Sequence, residues 1–268
     1  MVHYLRATFF DRDSWAGNVF SMSLASAATV PELNVDARRR ELFQSALVRP
    51  GLSTSASRSK ALPLGLRSVD AALPEGGLPR GVVVELSAPQ GLARATTLAL
   101  ALCASAQADA RHRSNDDTQG AWCAWLDPTA TLFAPGAVRA GVDLERLLVI
   151  RPDSDDLSRV AVRVAQSHAF SVVVIDTAGV PGCRGETRLD RWVTIVRRLA
   201  LAVEGSDTTV LLLTDANASR AMPLPAAMRI ELERLAEDKL GLRVAKDRAG
   251  RVTGSCAIDL ERKIARVS

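Results

Sequence analysis

Residues 88–95 read APQGLARA and follow the apolar run GVVVEL at Gly81–Leu86. A strand, a tight loop and a helix start form the context in which the pattern G-x-x-x-x-G-K-[ST] binds phosphate. Its glycines let backbone N–H groups close round the phosphate oxygens, its lysine neutralises them and its hydroxyl holds Mg²⁺. The eight-residue spacing is kept here, yet Ala88 and Ala93 stand at the glycine positions, Arg94 at the lysine and Ala95 at the hydroxyl. An alanine held at positive φ costs on the order of 1–2 kcal/mol. A guanidinium is not the compact point charge of an ammonium, and Ala95 has no metal ligand. Pro89 and Gly91 complete the altered loop, and Thr96 reaches the hydroxyl position only if the loop slips by one residue. With no lysine between Lys60 and Lys239, the segment predicts a loop that holds no nucleotide and no metal.

Other chemistry-bearing residues are sparse. The four cysteines (Cys103, Cys123, Cys183, Cys256) have no C-x-x-C spacing and no nearby histidine pair, so they read as reduced, mostly buried thiols rather than a zinc site. His168 falls in line with Leu157, Val160, Ala161 and Val164 and is expected as a packed or edge histidine; His112, in the polar run DARHRSNDDTQG, is expected in a loop. The chain has 268 residues, 47% of them hydrophobic, and a formal net charge of +4. That length suits one sizeable core with an appendage. No apolar run approaches the roughly 20 residues of a membrane span, and no signal peptide is evident, which predicts a cytoplasmic protein.

The elements that must position these residues change character near residue 60. Residues 1–59 are expected as an N-terminal arm and 60–268 as the core. Residues 1–28 show no clear period. NVDARRRELFQSAL, residues 34–47, predicts a short amphipathic helix with Leu42, Phe43 and Leu47 among its apolar residues and Arg38, Arg39 and Arg40 beside them. RPGLSTSASRSK, Arg49–Lys60, has linker composition. Beyond Gly65, strands are expected at Val82–Leu86, Trp122–Asp127, Leu147–Ile150, Val172–Asp176 and Thr209–Thr214, with helices between them, the clearest in TRLDRWVTIVRRLALAVEG. Near-continuous apolar strands alternating with helices mean a doubly wound α/β fold with a mainly parallel sheet. MRIELERL, GLRVAKD and SCAIDLE add antiparallel strands at the C-terminal end.

LGLRSVDAALPEGGLPRGVVVEL, then CAWLDPTATLFAPGAVRAGVDLERLLVIRPDSDD and VVVIDTAG, occur in an order and spacing that resemble the core of the RecA family, over roughly Gly65 to Leu260. Within that superfamily a short chain with a ruined phosphate loop is similar to the ImuA family, accessory proteins of bacterial damage-induced mutagenesis. The resemblance implies a RecA-like core with an N-terminal helical arm and no room for the further C-terminal domain of RecA. It places a water-activating Glu of the family at Thr129, which is no general base near neutral pH. It also places a Mg²⁺-ordering carboxylate at Asp176, where a cap for the next turn is the favoured reading, and a phosphate-sensing Gln at Asp215.

The same resemblance bears on partners. Both loops that bind single strands in RecA are short here, TAGVPGCRGE and DANASRAMPLPAA, leaving Arg184, Arg188, Arg191, Arg197 and Arg198 as candidates for weak DNA contact or as a solvated helix face. The helix at 34–47 stands where RecA packs a helix on its neighbour, so it is expected to contact RecA or a second copy, with folding back on its own core as the bland alternative. The ImuA family works beside an ImuB-like Y-family polymerase homologue and an error-prone C-family polymerase. Expected function is therefore a non-catalytic adaptor in translesion synthesis under the SOS response. The alternatives are an ATP-dependent DNA-binding RecA paralogue and a SulA-like cell-division inhibitor.

Overall fold

Short runs of Val, Leu and Ile, too brief for a helix, form the central strands, and alternate residues on each strand feed two separate apolar layers. The computed structural model describes residues 3–5, 61–89, 94–113, 121–177, 191–218, 222–235 and 239–258. The chain divides into one unit of residues 1–7 and 59–268 and a second of residues 8–58. The expected helix at 34–47, the linker at 49–60, and hence Arg38, Arg39, Arg40, Leu42, Phe43 and Leu47, lie outside the described residues.

The strands are β1 (His3–Leu5), β2 (Ala61–Leu62), β3 (Leu78–Pro79), β4 (Val83–Ala88), β5 (Cys123–Leu126), β6 (Leu147–Ile150), β7 (Val172–Asp176), β8 (Thr209–Asp215), β9 (Met228–Arg234), β10 (Leu240–Asp247) and β11 (Cys256–Ile258). Among the described residues the α-helices are α1 (Arg67–Ala72), α2 (Arg94–Arg113), α3 (Ala134–Arg139), α4 (Leu157–Gln166) and α5 (Trp192–Val203). Nine strands make the main sheet in the order β1-β6-β5-β7-β8-β4-β9-β10-β11. Every pairing from β1 to β9 is parallel, and β9–β10 and β10–β11 are antiparallel. This is the mainly parallel α/β sheet with antiparallel C-terminal strands that the sequence predicts.

One face of the sheet packs Leu86, Trp125, Leu211 and Leu213 against Leu98 and Leu102 of α2. The other packs Val83, Leu126, Ile175 and Leu212 against α4 and α5, where Leu157, Trp192, Val196 and Leu199 are buried. The entry to β4 depends on Gly81, whose φ is +69° and where a Cβ would stand 2.5 Å from the Ser206 carbonyl oxygen. A side chain there would have to push one backbone away from another.

Two expectations are corrected. His112 lies within α2, not in a loop, because the Ala-rich helix carries its own propensity through a polar run. His168 is exposed at φ 51° beyond the end of α4, where the backbone has left the helix and its register with Leu157 and Val160 is lost. Two of the three described cysteines, Cys103 and Cys123, are buried as expected, and Cys256 is exposed on the edge strand β11. His3–Leu5 also pairs with Leu148–Ile150 as an edge strand, an element that three residues were too few to announce.

Candidate functional site

After β4 the chain crosses over β8 and β7 to reach β5, and after β8 it crosses back over β4 to reach β9. Such a reversal opens a crevice outside the carboxyl ends of the strands, where folds of this kind bind ligands. The altered loop leaves β4 at that edge. Ala88, however, is the last residue of β4 and is buried in an extended strand. It thus escapes the positive φ that a phosphate cradle would impose. Arg94 opens α2 and is exposed, Ala95 packs against the core beneath that helix, and Thr96 is half-buried. Pro89 is described; Gly91 and Ala93 lie outside the described residues.

The polar groups at the strand ends are engaged within the chain. The Ala88 carbonyl accepts from the Ala216 N–H at 2.9 Å. Asp127, fully buried just beyond β5, accepts at Oδ1 from the Thr131 N–H at 2.9 Å and at Oδ2 from the Leu132 N–H at 3.0 Å. Arg151 brings its Nε to 3.7 Å from the same carboxylate. Thr129 lies in that turn with its hydroxyl 3.3 Å from Thr131 Oγ1. The short polar run DPTAT therefore caps itself, since an aspartate followed by free backbone N–H groups is a ready Asx-type turn.

Asp176 ends β7 almost completely buried and takes part in an interaction within the chain. Its neighbour Thr177 donates its hydroxyl to the Leu213 carbonyl at 2.6 Å. Asp215, half-buried at the end of β8, accepts from the Asn217 N–H at 3.0 Å. Parallel register aligns Ala88 with Asp215, and Asp176 with Leu213. The strand ends thus carry Asp127, Asp176 and Asp215.

Two polar residues escaped the sequence reading. Glu85, fully buried in the middle of β4, accepts from Thr214 Oγ1 at 2.9 Å and lies 3.8 Å from Arg229 Nε. Arg229 also meets Glu231, which binds Arg243, so a ladder of charge crosses β4, β9 and β10. The single acidic residue within GVVVEL was its signal. Gln107, buried in α2, donates to the carbonyls of Asp143 and Arg146 and accepts from the Asp143 N–H at 2.8 Å. That amide holds the GVDLER turn onto the helix.

Cys103 and Cys123 lie side by side between α2 and β5, with Cys123 Sγ 3.7 Å from the Cys103 carbonyl oxygen. The hydrogen bond with Cys123, and then burial, push the Cys103 thiol well above its ordinary range, which keeps it protonated and poorly nucleophilic. Among the described residues no group of three or more His, Cys, Asp or Glu could hold a metal ion. No described helix is long and apolar enough to cross a membrane. Arg191, Arg197 and Arg198 are exposed at and along α5, whereas Arg184 and Arg188 lie outside the described residues.

Fold and edge together define a doubly wound domain of the phosphate-loop class in which the loop residues have been replaced. A family model of the RecA N-terminal domain matches residues 34–190. The match covers more than half of the chain, and the chain belongs to that family. Similar proteins include Protein RecA of Chloroflexus aurantiacus, 31% identical over 163 residues that cover 60% of this chain and 42% of the relative. Protein RecA of Brucella anthropi is 32% identical over 148 residues, 55% of this chain and 38% of the relative. Protein RecA of Cutibacterium acnes is 30% identical over 163 residues, 56% of this chain and 44% of the relative. The chain spans less than half the length of these relatives.

Proposed function

We propose that this RecA-family chain is a non-catalytic adaptor that joins partner proteins through a RecA-like surface. The observation that carries the reading is the coincidence of two losses at one edge. The glycines, lysine and hydroxyl of the phosphate loop are replaced; Ala88 bonds to Ala216 and Thr177 to Leu213 across to the β8 segment, while Asp127 and Asp215 accept from backbone N–H groups of their own turns. Restoring ATP chemistry would require several independent replacements to be compensated together. The same observation weighs against an ATP-dependent DNA-binding paralogue, and no feature of the described residues favours a SulA-like inhibitor.

Similarity to the ImuA family supplies the setting: a cytoplasmic ImuA-type protein acting in DNA-damage-induced mutagenesis and translesion synthesis. Its partners in this reading are RecA, an ImuB-like Y-family polymerase homologue and, through it, an error-prone C-family polymerase. DNA contact through Arg191, Arg197 and Arg198 is secondary to these. Titration with a fluorescent ATP analogue in the presence of Mg²⁺, combined with pull-down of RecA and of the ImuB-like protein, tests the proposal. Retention of either protein without nucleotide binding supports an adaptor; saturable nucleotide binding with turnover overturns it.

A further inference from the structure

The outer surface of α4 and α5 carries positive charge that the strand-end edge does not use. Both helices cover the same face of the sheet and pack against each other. Each connects two parallel strands, α4 from β6 to β7 and α5 from β7 to β8, so both begin at the carboxyl ends of the strands and run in the same direction. Neither LSRVAVRVAQ nor WVTIVRRLALAV contains an acidic residue, whereas a solvated helix surface ordinarily mixes both signs. On α4, Arg159 and Arg163 are exposed; Arg159 pairs with Asp156, and Arg163 takes part in an interaction within the chain. Along α5 the exposed strip is Arg191, Thr194, Arg197, Arg198 and Leu201, with Leu201 71% exposed. None of its three arginines forms an ion pair with another described residue. Arg191 stands at the N-terminal end of α5, where the helix dipole disfavours a cation. The stability of the helix therefore does not account for the charge it displays.

We propose that this strip on α5 is the docking surface for an acidic, helical segment of a partner protein that carries a large apolar side chain among its acids. Arg191 and Arg198 lie two turns apart on one face of α5, about 10.5 Å at 1.5 Å per residue. Two acids with the same two-turn spacing on a partner helix laid along α5 meet both guanidinium groups, each a fixed fork suited to a carboxylate. Leu201 lies one turn beyond Arg197 and Arg198 on that face, so the partner must also supply an apolar contact, and arginine beside a covered apolar side chain is a common composition for the energetic centre of an interface. Acids bound the strip at both ends. Asp153 and Asp155 are exposed in the turn before α4, at the end of the layer where α5 begins, and exposed Glu204 follows α5. From Arg191 to Glu204 the helix runs about 20 Å. A short acidic helix fits between those limits. A nucleic acid strand laid along the layer would run over like charge at both ends and leave Leu201 uncovered.

The inference rests on the adaptor reading and deepens it by naming the chemistry of one partner segment. Its test involves no nucleotide, so ATP turnover would sink the adaptor reading while leaving the result here unchanged. Fluorescence anisotropy of the full chain is measured against a fluorescein-labelled helical peptide of about 14 residues with glutamates and one leucine along one face. Saturable binding that weakens as salt is raised is expected, and none to the same peptide with lysine in place of each glutamate. The pair R197E/R198E is expected to weaken binding by at least ~10-fold and to gain affinity for the lysine peptide. L201S should weaken binding of the parent peptide without altering its salt dependence, and should have no effect on a peptide whose leucine is replaced by serine. R248E, at an exposed arginine of the turn after β10, should bind as the parent does. Because the substituted positions are exposed, thermal melts should match the parent; R198E alone gives the same readout if the double variant melts early. A parent chain that does not bind the glutamate peptide, or an R197E/R198E chain that binds it unchanged, overturns the proposal. Displacement of the peptide by a single-stranded oligonucleotide whose own binding is lost in R197E/R198E but kept in L201S would assign the strip to a polyanion and would also overturn it.

Discussion

Ala88 lies directly opposite Asp215 across the β4–β8 pair, and its carbonyl oxygen accepts the Ala216 N–H at 2.9 Å. A backbone that would turn outward in a phosphate cradle is here tied into the neighbouring strand. The residue facing it carries a negative charge. The proposed loss of phosphate affinity thus rests both on the loop residues and on the pairing that receives them.

Nucleotide should neither bind nor turn over. Arg94 is exposed at the start of α2 and no hydroxyl occupies position 95. Steady-state assays with ATP and Mg²⁺, with and without single-stranded DNA, are expected to match a blank, and Arg94→Ala to change nothing. Turnover that disappears in Arg94→Ala would contradict the adaptor reading.

Asp127 should matter for stability rather than chemistry. Its carboxylate is fully buried and receives two backbone N–H groups with Arg151 nearby. Removing it leaves those donors unsatisfied, and Asp127→Ala is expected to lower unfolding free energy by about 2–4 kcal/mol. Asp127→Asn, which keeps one acceptor, should lose less. Urea denaturation followed by circular dichroism measures both.

Acid should weaken the link between β10 and the turn that follows it. Burial by itself would raise the Asp247 carboxyl, but hydrogen bonds from Arg251 and from the backbone of Ala249 outweigh it and hold it below the usual carboxylate range. A depressed folded-state value contributes stability above the unfolded value and loses it as pH falls through the folded one. The stability difference between the parent chain and Asp247→Asn should therefore be constant at neutral pH and shrink below about pH 4. Denaturation at several pH values reads it, and a difference that grows on acidification would refute the sign.

The segment at 34–47 should bind a RecA-fold partner. Its reading rests on the amphipathic pattern and on the resemblance to RecA, with Leu42 and Phe43 as anchors and Arg38–Arg40 steering towards an acidic surface. Leu42→Ala with Phe43→Ala is expected to abolish pull-down of RecA while leaving the thermal melt unchanged. Intact binding, or a clearly lowered melt, would favour a helix that folds back on its own core.

Much of the core was legible because its signals are local. Leu147–Ile150 and Val172–Asp176 are strands with the bounds their apolar runs predict, and the antiparallel turn at Arg248–Gly250 follows from a glycine that takes φ +77°. The replacement of the phosphate-loop residues is equally local, since it is read from which side chains occupy eight consecutive positions.

What the sequence withheld depends on contacts between distant residues. Apolar runs identify strands but not their order, because pairing joins β4 to β8 across more than a hundred residues and β1 to β6 across a longer gap. Glu85 is a single acid in an apolar run of the sequence; only the approach of Thr214 and Arg229 gives its buried carboxyl partners. His168 illustrates the same limit: a helical period put it in line with Leu157 and Val160 as a packed or edge histidine, but the helix ended before reaching it. By itself the sequence determined which segments are strands or helices and that the phosphate loop lacks its chemical groups, since both are set by side-chain type and short-range geometry. Tertiary structure alone decided that Asp127, Thr177 and Asp215 are hydrogen-bonded within the chain at that edge, because a hydrogen bond reaches only about 3 Å and which groups come that close is fixed by the packing of the whole sheet.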